Sequence, residues 1–349
     1  MRIHLPVRPA ILARHTYETP AEGRQGKIRL DFNENTSGCS AAVRIALARL
    51  SAVKISTYPE YEMASHSLAR YFGVCPEELL VANGGDDALR AVFDTFADPR
   101  REVVIFEPTF PMYRYYAEIT GARIRALRYG PNMEFPAAEA LASLRRKPRL
   151  LFVTNPNNPT GTLVPKRILA RLLRKATHTA VVVDEAYAEF STESIVPWIR
   201  RYPHLFIVRT FSKAAGLAGL RLGAVLANRE SLAFVRRAMP PFPVNCAALI
   251  AGVAAVNDRK TLARYVRGTV RRRTWFARQL HLAGVRVFPS AGNFLLADFG
   301  NLGPLFFRKL AEHGILIREY KILGPGFARI TVGTQSELEK LLYLLRRTP

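Results

Sequence analysis

The residue that suggests chemistry most directly is Lys213. It stands in the run Thr210-Phe211-Ser212-Lys213-Ala214-Ala215-Gly216, just after the apolar stretch HLFIVRT. A lysine in a small-residue loop at a strand end can be desolvated, which lowers its pKa and suits Schiff-base formation with a carbonyl. Thr210, Ser212 and Arg221 add hydroxyl and guanidinium donors suited to a phosphate. Alone, a Ser-Lys pair reads as ordinary surface, but three further strand ends carry unusual residues. TAVVV runs into Asp184-Glu185-Ala186-Tyr187. A carboxylate after four apolar residues is buried, and a buried carboxylate needs a cationic or donor partner; it can also be a satisfied core aspartate. RLLFVT runs into Asn155-Pro156-Asn157-Asn158-Pro159-Thr160-Gly161, a rigid turn in which Asn158-Pro159 can be cis. ELLVAN runs into Gly84-Gly85-Asp86-Asp87 and a helix, which reads either as a helix cap or as free backbone N–H groups for an anion.

These segments need a scaffold that brings strand ends together. From about residue 60 the chain alternates amphipathic and strand-like segments. MASHSLARYFG and DDALRAVFDTFAD read as helices, and ELLVAN, EVVIFEP, RIRALRY, RLLFVTN, TAVVVDEA and HLFIVRT as strands. Short β-branched runs ending in Gly, Pro or Asn predict strands buried on both faces of a largely parallel sheet, with helices on both sides. Ligands collect beyond the carboxyl ends of such strands. After about residue 255 the texture becomes α+β: a long basic helix over roughly 259–283, then VRVFPS, NFLLADF, a helix near 303–313, GILIRE, ARITVG and a final helix from Ser336. The expected division is an N-terminal arm and part of a small domain over 1–50, a large α/β domain over 51–255, and a smaller C-terminal domain over 256–349.

The 349 residues carry a formal charge of +23. The basic residues are spread along the chain in short clusters such as Arg145-Arg146-Lys147, and no nucleic-acid module is recognisable. The charge reads as a solvated arginine-rich surface, with attraction of small anionic substrates as the alternative. No apolar run reaches the roughly 20 residues of a membrane span, and the N-terminus shows no signal-peptide pattern. Cys39, Cys75 and Cys246 fit neither a disulfide framework nor a metal spacing, which favours a reducing cytoplasm. No nucleic acid, membrane or metal is expected.

The ordered set Asn33-Glu34-Asn35, Tyr58-Pro59, GGDDALR, EPTFPMY, NPNNPTG, DEAYAEF, TFSKAAGLAGLRLG and ARITVGT resembles the fold-type I pyridoxal phosphate (PLP) enzymes over nearly the whole chain. The resemblance is to the aminotransferase class that contains the histidinol-phosphate aminotransferases. It implies that Lys213 holds the cofactor as a Schiff base and shuttles the substrate proton. It implies that Asp184 pairs with the protonated pyridine nitrogen. Asn158 and Tyr187 would bond the ring hydroxyl, and Phe110 would stack on the ring. Gly85 and Asp86 N–H groups, with Thr210, Ser212 and Arg221, would hold the phosphate. Tyr58 would reach the phosphate of a neighbouring subunit in a homodimer. Arg329 and Arg318 would bind acidic groups of the amino donor and 2-oxo acid, with Asn35 and Tyr17 as further substrate contacts; an aromatic anchor is the other reading of Tyr17. Thr36 replaces the family's usual proline, and Gly-Gly-Asp-Asp its Gly-Ser/Ala-Asp-Glu.

The implied reaction is exchange of histidinol phosphate and 2-oxoglutarate with imidazole-acetol phosphate and glutamate. An aromatic amino-acid aminotransferase or a threonine-phosphate decarboxylase-like lyase would use the same residues. A PLP-fold DNA-binding regulator would need a winged-helix domain ahead of motifs that begin by residue 33. A Rossmann dehydrogenase would need a G-x-G-x-x-G after its first strand, and none is present.

Overall fold

The computed structural model describes residues 5–12, 22–191 and 193–348. Strand β1 (Ile28–Arg29) precedes a seven-stranded sheet made of β2 (Leu79–Ala82), β3 (Glu102–Glu107), β4 (Arg123–Arg128), β5 (Leu150–Thr154), β6 (Ala180–Asp184), β7 (Leu205–Thr210) and β8 (Gly223–Ala227). Its order is β2-β8-β7-β6-β5-β3-β4, and only β8 runs against the other six. Strand side chains alternate between faces, and here both faces are core. Leu151, Val153, Val181, Val183, Leu205 and Ile207 join one apolar cluster with Leu169, Leu172 and Leu173 of the helix Lys166–Lys175. Leu150, Phe152, Val182, Phe206 and Val208 join another with Ala88, Leu89, Val92 and Phe93 of the helix Gly84–Phe96.

The predicted strands of this sheet form at their expected places, to within a residue or two. Strand β8 went unread, because GAVLA has only one β-branched residue and follows directly on a glycine-rich loop.

A second sheet is built from β9 (Arg286–Val287), β10 (Phe294–Asp298), β12 (Arg318–Glu319) and β13 (Phe327–Thr331), in the order β12-β13-β10-β9 and antiparallel throughout. Between β10 and β12, strand β11 (Ile315–Leu316) instead pairs in parallel with β1. The core beneath this sheet combines Leu295, Ile330, Phe276, Phe306, Leu310, Leu338 and Leu341 with Leu30 from the other end of the chain. The final helix, Gln335–Arg346, starts with a capping box in which Thr334 and Glu337 satisfy each other's backbone N–H groups.

Candidate active site

In the large sheet the chain moves outward from β3 to the edge strand β4, then returns to the far side of β3 as β5. The connections after β3 and β5 therefore diverge, and a crevice opens beyond their carboxyl ends. A cavity of about 710 Å³ occupies this place. Each strand end delivers one element of its wall. Phe110 follows β3, Asn158 follows β5, Asp184 closes β6, and Thr210, Ser212 and Lys213 follow β7. Gly85 and Asp86 lie in the first turn of the helix after β2, and Tyr187 and Arg221 complete the large-sheet side. From the second sheet come Arg318 and Arg329, directly opposite each other in the β12–β13 register.

Lys213 is half-buried, and burial, aided by the Arg329 charge, lowers its pKa from 10.5 to about 8. Its Nζ donates to the Phe32 carbonyl at 2.8 Å and lies 5.8 Å from the centre of the Tyr187 ring. Asp184 is 6% exposed and meets no cation among the described residues. The Tyr113 hydroxyl donates to its Oδ2 at 2.7 Å and the Ala186 N–H to its Oδ1 at 2.9 Å. Burial raises its pKa to about 6 despite those donors.

Elsewhere on the cavity wall, Ser212 Oγ is buried and has no hydrogen-bond partner among the described residues. It sits beside Thr210, the free N–H groups opening the helix Gly84–Phe96, and Arg221, which adopts a left-handed backbone (φ 54°) and pairs with Asp86 at 3.0 Å. Helix N-terminus, hydroxyls and guanidinium together make an arrangement suited to an anion. Gly223 permits it, because a Cβ there would come within 2.4 Å of the Gly84 backbone.

Arg329 is 6% exposed and donates through Nη1 to Asn158 Oδ1 and through Nη2 to the Asp31 carbonyl. With Oδ1 engaged, Asn158 has its Nδ2 left to donate into the cavity.

Two nominated residues are placed elsewhere, and a third cannot be placed. Tyr58 is 79% exposed, stacks on Phe242 at 4.5 Å and does not line the cavity. Asn35 is turned to the loop, donating to the Ala214 carbonyl and accepting from the Ser37 N–H. Tyr17 lies outside the described residues. The residues that sequence reasoning missed are Tyr113, Thr154, Phe32, Glu34 and Tyr320, all of which line the cavity. Only Tyr113 carried a readable signal, as the aromatic that ends the run EPTFPMY three positions after Phe110.

Residues 25–345 match the family described as Aminotransferase class I and II. A histidinol-phosphate aminotransferase of Geobacillus sp. is 35% identical over 91% of this chain and 89% of that protein. One from Symbiobacterium thermophilum is 36% identical over 93% and 91%. Among solved structures, the histidinol-phosphate aminotransferase of Sinorhizobium meliloti in complex with pyridoxal-5′-phosphate shares the fold, with a TM-score of 0.89 at 24% identity over 99% of both chains. The expected architecture, fold-type I with a large, mostly parallel sheet, is the one observed. On the extent of the family match and the identity of its relatives, the chain belongs to the class I and II aminotransferases, enzymes that depend on pyridoxal phosphate.

Proposed function

We propose that this enzyme is a histidinol-phosphate aminotransferase, exchanging the amino group of histidinol phosphate with 2-oxoglutarate. The observation that carries the reading is the arginine pair Arg318 and Arg329, directly opposite each other on adjacent strands and lining the same cavity as Lys213. One substrate is a phosphate ester and the other a dicarboxylate, and guanidinium groups bind both kinds of anion in bidentate fashion. The names of the most similar relatives support the same substrate.

The residues present fit pyridoxal phosphate. A buried carboxylate without a cation matches a protonated ring nitrogen, and an unpartnered serine hydroxyl in an anion cradle matches a phosphate. Asp184 would hold the ring nitrogen, Asn158 and Tyr187 the ring oxygen, and Phe110 a ring face. Gly85, Asp86, Thr210, Ser212 and Arg221 would hold the phosphate. When bound, the cofactor supplies an electron sink for the charge left on the substrate Cα. Lys213 takes the Cα proton and returns it; burial lowers its pKa to about 8, which enlarges the share of free amine that this requires. Arg329 and Arg318 orient the substrate's anionic groups so that the Cα–H bond faces Lys213.

The large and small domains are taken to divide near residues 51 and 255, with the chain's first 50 residues shared between arm and small domain. Val53, Ile55, Tyr58, Met63 and Phe242 form exposed apolar surface, which supports a homodimer in which Tyr58 reaches the partner's phosphate cradle. No helix among the described residues is long and apolar enough to cross a membrane, and the three cysteines are unpaired, in keeping with a cytoplasmic enzyme.

The test is a single-turnover half-reaction on cofactor-loaded enzyme. Histidinol phosphate, phenylalanine and threonine phosphate are offered separately while the visible absorption band is followed. Fast bleaching by histidinol phosphate, with sluggish phenylalanine, is the expected result. Faster reaction with phenylalanine, or carbon dioxide release from threonine phosphate, would overturn it.

A further inference from the structure

Asn33 is fully buried, with a left-handed backbone (φ 55°) that asparagine tolerates better than most residues. It bonds both to β13 of the second sheet and to Tyr187 beyond β6, and these bonds orient its amide. The Asn33 N–H donates to Thr331 Oγ1 at 3.0 Å. The Thr331 hydroxyl in turn donates to Asn33 Oδ1, 3.2 Å away. With Oδ1 facing Thr331, the amide nitrogen faces Tyr187, and Nδ2 donates to the phenolic oxygen at 3.0 Å. The Asn33 carbonyl accepts from Asn293 Nδ2 at 3.0 Å, so its main chain is anchored as well. Thr331 and Asn293 are both fully buried.

An amide nitrogen can only donate, so Tyr187 must accept from Asn33 and keep its own proton for another acceptor. The Tyr187 ring is wedged edge-on against Phe294, and its hydroxyl borders the cavity. We infer that Asn33, oriented by Thr331, is a positioning residue that makes Tyr187 an obligate hydrogen-bond donor toward the ring oxygen of the cofactor. This rests on the reading of Tyr187 given above. An obligate donor stabilises the negatively charged form of that oxygen, and the conjugated system then gives up its proton at lower pH. The direction of one phenolic proton is thus set from the second sheet, through a residue that never touches the cofactor.

The experiment is a spectroscopic pH titration of the cofactor-loaded protein, with the cofactor dissociation constant measured alongside. Asn33→Gly suits the left-handed backbone and adds no charge. It should raise the midpoint of the visible-band transition in the same direction as Tyr187→Phe and weaken cofactor binding about fivefold, the worth of one hydrogen bond. In the double variant Asn33→Gly/Tyr187→Phe, the Asn33 contribution should vanish. Thr331→Val, which frees the amide to flip, should shift the midpoint the same way by a smaller amount. It serves as the second test should Asn33→Gly not fold. No shift in Tyr187→Phe would refute the reading of Tyr187 and this inference with it. A shift there with none in Asn33→Gly or Thr331→Val would refute the inference alone, as would an Asn33→Gly effect undiminished in the Tyr187→Phe background.

Discussion

Two carboxylates sit side by side at the end of β6 and are treated in opposite ways. Asp184 and Glu185 are consecutive, so their side chains leave the strand on opposite faces, and both are buried. Glu185 is supplied with a cation. Arg209 Nη1 meets it at 2.8 Å, while Ser194 Oγ and the Ile195 N–H donate to its two oxygens at 2.6 and 2.8 Å. Arg209 also meets Glu189 at 2.5 Å. Burial works against its charge, but Glu189 and Glu185 outweigh this and hold its pKa above the usual value. Asp184 receives only a phenol and a backbone N–H, and its pKa rises. One carboxylate is finished within the chain and the other is left open for a cation from outside. A buried acid whose partners are all neutral is a place where the protein expects a ligand.

The largest effect should come from removing the open carboxylate. Asp184→Asn should lower turnover by at least about 10³-fold, the scale of losing a directed electrostatic contact, as measured in steady-state assays at saturating cofactor. The fold should be unharmed, and equal loss of activity and of cofactor-free stability would break the contrast. Glu185→Gln should do the reverse. It leaves Arg209 short of one counter-charge and should cost about 3 kcal/mol in urea denaturation, with little change in kcat per folded molecule.

The pH dependence sharpens the contrast further. Asp184 holds its proton to about pH 6 when folded against 3.8 as the reference, so the folded state binds more protons between those values. Stability of the cofactor-free protein is then lost as pH rises through that window. Asp184→Asn should therefore melt above wild type at pH 7, with the advantage gone near pH 4. Lys213 behaves as the mirror image. Its pKa falls from 10.5 to about 8, so it destabilises the cofactor-free fold below pH 8 and the deficit closes as pH approaches 10.5. Lys213→Met should raise the cofactor-free Tm at pH 7 while abolishing transamination. The smallest effect belongs to Tyr113→Phe, which removes one neutral donor from Asp184 and should weaken cofactor binding by about fivefold in equilibrium titration.

The strand ends were legible in the sequence because their residues do two things at once. Asp184 ends an apolar run and Lys213 begins a small-residue loop, and neither fits a bare structural element. Short continuous apolar, β-branched runs marked the parallel strands for a similar reason, since both faces are buried. Asn33 and Thr154 were illegible as site residues because each acts through a partner distant in sequence. Thr154, for instance, donates to Tyr113, 41 positions away, which in turn donates to Asp184. No local pattern encodes such a chain of contacts. Glu185 was hidden differently: adjacent to Asp184, it shares every sequence property with it, and only the location of Arg209 on β7 tells the two apart.

The pairing of β1 with β11 has a consequence for how the chain comes to be folded. Leu30 belongs to a core otherwise contributed by residues 276–345, and the Asn33 N–H finds its acceptor 298 positions later. The seven-stranded sheet ends at Ala227, so on a ribosome it can be assembled while the last third of the chain is still being made. The segment carrying Leu30, Phe32 and Asn33 emerges first and finds its seat last. Until the C-terminal helix leaves the exit tunnel, that segment must wait, with Leu30 uncovered, beside a sheet that is already formed. Such late closure between distant ends is slow, and a C-terminal truncation would strand it permanently.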